Sequence, residues 1–411
     1  MTATVSDPSA EGSAAALSVV AAARRKAQVL KAVTTLGWSV IAIGILAWVV
    51  GRQLGWKEFD ILAATCLLLA ALAACTTLGR MGLKTEVVLN PPRTTVGSPA
   101  AARLVVTNPS RRRTLPLRVE LPVGATVATF DVPSMGNAAE HEELFILPTS
   151  RRGVIPIGPA ASVRGDPLGL LRRRQMWDER TELIVHPRTV ALEPLGSGLL
   201  HDLEGLTTSK VSQSDLSFHS LREYVAGDEM RHVHWRSSAR AGRLLVRQFL
   251  ETRRSAISIV VDGDPGSYAD ADEFELAMEI AASIAQRATR DGLSAVLAAG
   301  GHAGAGLAPH VLLDAAARAE LGAGTLDLAA LVTGVLARND DTSLAVIVSG
   351  SPAPAERLQQ AARRCPTDTQ VVLIRVQPGD PPAMSNAGTG RLMVLGSLGD
   401  LRAAFAFGIA S

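Results

Sequence analysis

A chain of 411 residues, 47% hydrophobic and 19% charged, exceeds the roughly 100 to 200 residues of a typical domain, so two or three domains are expected. The 41 basic and 39 acidic side chains leave a formal charge of +2, which excludes a strong global field drawing the chain to nucleic acid or anionic lipid, so any charged recognition is local. The three cysteines, Cys66 and Cys75 in an apolar stretch and Cys365 far away, form no disulfide framework and no metal-ligand spacing, and they fit a reducing compartment.

Residues 1–32 begin with a stretch rich in Ala and Ser that lacks an apolar period, which predicts a flexible tail. The segments Val33 to Val50 and Ile61 to Leu78 contain no charged residue, and each reaches the length needed to span a bilayer as a helix. The first is too long for a signal-peptide core and no small-residue cleavage site precedes the second, so residues 33–80 are expected to form a transmembrane hairpin. Arg24, Arg25, Lys26 and Lys31 precede it and Arg80, Lys84 and Arg93 follow it, whereas the connector holds Arg52 and Lys57 beside Glu58 and Asp60. That asymmetry predicts a multi-pass protein with its N-terminus and soluble domains cytoplasmic. Trp38, Trp48 and Trp56 suit headgroup anchors.

Residues 84–190 hold short β-branched runs (TEVVL, ARLVVTN, LRVELP) separated by Pro, Gly and Asn, which predicts a small antiparallel β-sandwich. DPLG at Asp166 to Gly169 is a turn signal. The runs Arg111 to Arg113 and Arg172 to Arg174 read as solvated loop tips or as a face beside anionic lipid.

From residue 255 to 411 apolar strands alternate with helices, which predicts a mostly parallel α/β sheet covered on both faces. Strands are expected at AISIVV, SAVLAA, HVLL, LAVIVSG, QVVLIRV and RLMVLG, and helices at ADEFELAMEIAASIAQRATR, over 315–337, at PAERLQQAARR and at LGDLRAAFAF. Ligands bind such sheets at the carboxyl ends of the strands, so the loop beginning at Asp262 is the place to look. Asp262 and Asp264, with Asp270 and Asp272 nearby, could hold Mg²⁺ through oxygen ligands, or could form a turn and an acidic first helical turn. GGHAGAG, Gly300 to Gly306, opens no helix and reads as a flexible loop rather than a phosphate cradle. No Walker loop, nucleophile elbow or His-Glu-x-x-His helix is present, which argues against an enzyme, with an uncharacterised hydrolase as the remaining catalytic alternative.

Between these parts, residues 191–254 form a connecting segment whose core, His219 to Phe249, interleaves charges with Tyr224, Trp235 and a Gly-Asp turn. Arg222, Arg231, Arg236, Arg240, Arg243 and Arg247 could present guanidinium forks to a partner, or could pair internally with Glu223, Asp228, Glu229 and Glu251. His232 and His234 alternate around Val233 as two zinc ligands would, but no third ligand is near.

The run Arg222, Glu223, Tyr224, Gly227, Asp228, Arg231, Trp235, Ser238, Ala239, Arg240, Gly242, Leu244, Val246 and Arg247 resembles the hallmark of the bacterial domain-of-unknown-function family number 58. The double-span anchor, RRGVIPIGP and DPLGL extend the resemblance over most of the chain. It implies a C-terminal von Willebrand factor A-like, Rossmann-type domain and a partnership with a MoxR-type AAA+ ATPase in assembly, chaperoning or cell-envelope processes. It also implies a bacterial plasma-membrane location. The A-type metal site would be degenerate: Asp262 is kept, Asp264 and Gly266 stand at the serine positions, and Val348, Ser349 and Gly350 replace Thr-Asp-Gly. The oligomeric state is not legible.

Overall fold

The computed structural model describes residues 32–77, 83–177, 179–194, 211–212, 217–225, 228, 230–250, 256–324, 326–339, 341–388 and 390–407. Among these the chain is mixed α and β, with eight α-helices, two of them apolar and near the N-terminus, and several sheets. It divides into two compact units. The first comprises Met1–Arg93, Pro99–Pro148 and Ile155–Leu183, and the second comprises Thr94–Ser98, Thr149–Val154 and Ile184–Ser411.

In the first unit, α1 (Thr35–Leu54) and α2 (Lys57–Thr77) are long and apolar enough to cross a membrane. Their large side chains point outward: Leu46 is 64% exposed, Leu67 72% and Leu68 69%. An exposed apolar surface of that size marks a site of contact with a membrane or another protein. Thr34 caps α1, its hydroxyl accepting from the Gly37 N–H and donating to the Gly169 carbonyl at 2.7 Å. Gly37 is required there because a Cβ would lie 2.2 Å from the Leu170 carbonyl oxygen. The DPLG turn forms as its sequence predicts, with the Asp166 carboxylate accepting from the Leu168 and Leu171 N–H groups.

The strands of the β-rich region are β1 (Lys84–Leu89), β2 (Arg93–Thr95), β3 (Ala100–Thr107), β4 (Leu117–Val123), β5 (Thr126–Val132), β6 (Glu140–Leu147), β7 (Gly153–Ile157), β8 (Ala161–Gly165), β9 (Arg172–Met176) and β10 (Thr181–His186). Strands β1, β3 and β6 form one antiparallel sheet, while β4 pairs antiparallel with β5 and with β8, which pairs with β9. Burial alternates along β3 and β4, as in sheets with one face on a core. Phe130 of β5 and Phe145 of β6 pack with ring centroids 5.4 Å apart. Arg172 to Arg174 are not a loop tip; they lie in β9, where Arg172 and Arg174 pair with Glu120.

In the second unit, β11 (Val211–Ser212), β12 (Ser217–Glu223) and β13 (Leu245–Leu250) form a three-stranded antiparallel sheet, with α3 (Trp235–Ala241) between β12 and β13. The stretch read as a connecting segment thus carries structure of its own. The α/β part comprises β14 (Ala256–Val261), α4 (Ala271–Arg290), β15 (Ser294–Ala299), β16 (His302–Gly306), α5 (Pro309–Arg318), α6 (Leu328–Leu336), β17 (Thr342–Ser349), α7 (Ala355–Ala362), β18 (Gln370–Val376), β19 (Ala383–Ala387), β20 (Gly390–Leu395) and α8 (Leu398–Phe407). The sheet order is β16-β15-β14-β17-β18-β20-β19, parallel except at the two edge strands. Its apolar strands feed two cores: Ile257, Ile259 and Val261 pack with α4, α5 and α8, and Val260, Ile347 and Leu373 pack with α6 and α7. Every residue of β14 is buried, as expected for a central parallel strand.

Three expectations fail locally. HVLL is helical, because Pro309 at the first position of α5 presets φ and Leu312, Leu313 and Ala315 to Ala317 bury one face. The stretch 315–337 is two helices, with α6 started afresh by the Asp327 side chain accepting from the Ala329 N–H. GGHAGAG is an edge strand in a hairpin. Gly300 and Gly301 both have positive φ (46° and 79°), the requirement of a two-residue type I′ turn, and Ala299 pairs with His302.

Ile259 is fully buried in the larger core. Truncation to alanine is expected to cost about 2–5 kcal/mol, read as a lower denaturant midpoint with an unchanged slope for the full chain in detergent.

Candidate functional site

Strand β14 ends at Val261, and the next residue, Asp262, is fully buried. An ionised carboxylate there must be paired and hydrogen-bonded. The partners converge from the turn after β14, the end of β17 and the start of α7. Ser267 and Ser349 donate hydroxyls to Oδ2 at 2.7 and 3.0 Å, and the Asp264 N–H donates to Oδ1 at 3.1 Å. Arg357, in the first turn of α7, forks onto both oxygens, Nε to Oδ2 at 3.0 Å and Nη2 to Oδ1 at 3.1 Å. Its Nη1 lies 3.1 Å from Asp264 Oδ2, and it also donates to the Leu326 carbonyl. Burial pulls the guanidinium pKa down, but the hydrogen bond to Asp262 and the charges of Asp262, Asp264 and Asp327 raise it overall.

Two more contacts fix these loops. The Tyr268 hydroxyl donates to the Asp262 carbonyl at 2.8 Å, and burial raises its pKa well above the usual tyrosine value. Buried Glu273 accepts from the Ala269 N–H through one oxygen and from the Ser351 N–H through the other, joining the start of α4 to the loop after β17.

The arrangement does not fit a divalent cation. A metal needs several free oxygen ligands at 2.0–2.6 Å, and both Asp262 oxygens already accept from donors, with a fixed cation supplied by Arg357. Asp270 is committed as the cap of α4, accepting from the Glu273 N–H, and exposed Asp272 pairs with Arg151, so the four aspartates do not converge. Among the described residues no group of three or more His, Cys, Asp or Glu could hold a metal ion. Arg357 drew no attention in the sequence; the signal was an arginine two residues into the helix after the strand that ends at Ser349.

The signature forms a second cluster. Arg222 grips Asp228 with both terminal nitrogens at 2.7 Å, and Asp228 also accepts from the Val225 N–H. Arg243 pairs with Glu223 at 3.2 Å. The Tyr224 N–H donates to the Leu244 carbonyl at 2.9 Å, and buried Ser238 accepts from the Leu245 N–H. His234 Nδ1 accepts from the Ser237 N–H as the cap of α3, which spends that ring nitrogen locally. Gly227, Glu229 and Glu251 lie outside the described residues.

The six arginines therefore divide. Arg222 and Arg243 pair internally and Arg231 is partnered, whereas Arg236, Arg240 and Arg247 are exposed, with no ion pair or hydrogen bond from their side chains among the described residues. Trp235 beside them is 60% exposed and Met230 52%.

Arg152 of the RRG motif, which clusters with the second unit, explains that motif. Its side chain is buried, ion-paired to Glu275 at 2.8 Å, and it donates to the Ala316 and Ala319 carbonyls at the end of α5.

Two expected outcomes follow from these clusters. Arg357→Met strands the buried Asp262 charge and is expected to cost about 3–5 kcal/mol, much of it recovered by adding Asp262→Asn, as chemical denaturation will show. The Arg222 guanidinium and the Val225 N–H hold the Asp228 carboxyl below its usual range. Its folded pKa is depressed, so the contribution is present at neutral pH and lost as pH falls below about 4. Hydrogen exchange around Val225 is expected to accelerate over that acid window in the wild type and to be already fast in Asp228→Asn.

Residues 220–394 match the family described as Protein of unknown function DUF58, and no curated protein matches the chain. Among solved structures, the CARDB domain of a Pyrococcus furiosus protein is 16% identical, covering 25% of this chain and 91% of that chain, with a TM-score of 0.20. The C-terminal domain of wzt is 13% identical over 26% of this chain and 75% of that chain, with a TM-score of 0.20. A beta-glucosidase from Listeria innocua is 13% identical over 26% of this chain and 16% of that chain, with a TM-score of 0.18. Similarities of that size carry no structural argument. The family match spans the signature and most of the α/β part, and it supports the resemblance read from Arg222 to Arg247.

Proposed function

We propose that the chain is a membrane-anchored, non-enzymatic interaction module of the DUF58 family, with a von Willebrand factor A-like domain held at the cytoplasmic face. Its partner is a MoxR-type AAA+ ATPase, and the pair serves protein assembly, chaperoning or cell-envelope processes. The observation that carries this reading is the face of α3, where exposed Trp235 lies beside Arg236 and Arg240, whose side chains have no partners among the described residues. Trp and Arg are the residues that most often dominate protein interfaces, and unpaired guanidinium forks suit the carboxylates of a protein partner. The central Asp262 at a strand end and the parallel order of the sheet support the A-like assignment. The outward apolar surface of α1 and α2 supports the anchor, and the basic flanks in the sequence support a cytoplasmic orientation.

The alternative of a metal-dependent binding protein is not favoured, because Arg357 takes the place a cation would fill. Calorimetry on the full chain in detergent is expected to give no binding heat with Mg²⁺, Mn²⁺ or Ca²⁺.

The partner reading is tested by affinity capture from membranes of the source cell with nucleotide present. The wild type is expected to retain a MoxR-type ATPase, and Trp235→Ala with Arg240→Glu to retain at least tenfold less, the loss of about 1.4 kcal/mol or more expected of an interface anchor. Equal retention by both proteins, or none by the wild type, removes it.

A further inference from the structure

A cavity of about 790 Å³ opens in the first unit, lined among others by Thr34, Arg118, Glu120, Asp131, Arg164 and Arg172. Its two carboxylates are committed: Asp131 accepts from Arg118 at 2.8 Å, and Glu120 is paired with Arg172 at 2.6 Å and with Arg174 at 3.4 Å. Arg164 is different. It is only 7% exposed, yet its guanidinium has no hydrogen bond or ion pair among the described residues. Its cross-strand neighbour is another cation, Arg173, and burial together with that charge lowers its pKa.

A guanidinium that is partly stripped of water and faces no anion carries a desolvation cost that no partner offsets. Three arginines against two already neutralised carboxylates leave the cavity with one net positive charge. The planar fork of Arg164 matches a phosphate oxygen pair. The position of the cavity narrows the ligand further. Thr34, which caps α1, lines it, and the Thr34 hydroxyl donates to the Gly169 and Leu170 carbonyls beside it. The cavity thus sits at the first residue of the first apolar helix, where the positive end of the helix dipole adds to the attraction and where a spanning helix meets the headgroup layer.

We propose that this cavity is a binding site for a phosphate group, with Arg164 as its central ligand, and that an anionic phospholipid headgroup supplies the phosphate. The choice of a lipid rests on the membrane reading above; the phosphate site itself does not. Bound headgroup ties the β-rich unit to the bilayer surface at the base of the anchor, and so limits the swing of everything the anchor carries.

The test uses the full chain in neutral detergent, with phosphatidylglycerol, phosphatidylcholine and inorganic phosphate as separate probes. Native mass spectrometry is expected to show retained phosphatidylglycerol on the wild type, little phosphatidylcholine, at least tenfold less phosphatidylglycerol on Arg164→Gln, and no change for Arg111→Gln, an exposed arginine outside the cavity. Thr129→Asp, which sets a carboxylate on the cavity rim and leaves Arg164 in place, is expected to lose the lipid as well and keeps the test valid should Arg164→Gln unfold. A rise in melting temperature with inorganic phosphate for the wild type alone, without lipid retention, supports the phosphate site with a soluble source. Equal phosphatidylglycerol retention by the wild type and either folded cavity variant overturns the proposal, as does indifference of the wild type to both phosphatidylglycerol and phosphate. Carbonate extraction of membranes separates the two readings: a wild type that is released loses the anchor, and the phosphate arm then decides the site.

Discussion

A carboxylate with no solvent exposure at the end of a central strand sets the terms for the loops around it. Asp262 cannot be ionised there without a cation and several donors, and two serines, one backbone N–H and a bidentate arginine meet that demand from the turn after β14, the end of β17 and the start of α7. Replacing such a group by an apolar one of similar shape is often neutral, whereas removing one partner is costly. The network therefore acts mainly as a specification. It fixes which loops meet, and Tyr268 and Glu273 extend that fixing to the start of α4 and to Ser351.

The signature obeys the same logic on a more exposed scale. Arg222 and Asp228 close a short loop with two parallel hydrogen bonds, a geometry that confers direction as well as attraction. Ser238 and His234 spend their polar atoms on β13 and on the first turn of α3. What these residues hold in place is a seven-residue helix too short to persist alone, and it leaves Trp235, Arg236 and Arg240 outside. The two readings of the arginines in the sequence were therefore not exclusive. Spacing alone could not separate them, because side chains three and four apart on a short helix and side chains across a hairpin both interleave in sequence.

Most of the α/β part was legible because buried parallel strands read as unbroken apolar runs and long amphipathic helices have a clear period. AISIVV and QVVLIRV coincide with β14 and β18 residue for residue. The failures fall where the local signal is weak. HVLL is too short for its period to distinguish strand from helix, and HAGAG lacks the bulky residues that mark a strand, since as an edge element it is held by a glycine turn and backbone pairing. At the candidate site, Asp262 was visible by its position after a strand. Arg357, 95 residues away, was not, because a contact between a strand-end residue and a distant helix leaves no periodic trace in either.

The pairing of Asp262 with an arginine bears on where the proposed partner docks. A divalent cation at a strand end keeps coordination positions that a partner's carboxylate can complete. A guanidinium fork whose nitrogens are spent on Asp262, Asp264 and the Leu326 carbonyl offers no such vacancy, and it does not exchange with solvent ions. The strand-end loops of this chain are closed on one another through these contacts. If the proposed interaction role holds, binding rests on groups the fold leaves unpaired, and among the described residues of the signature the guanidinium groups beside Trp235 are of that kind. The polar chemistry at the sheet thus argues against a metal-bridged docking mode, and under the proposed function it places the binding surface on the segment that precedes the sheet.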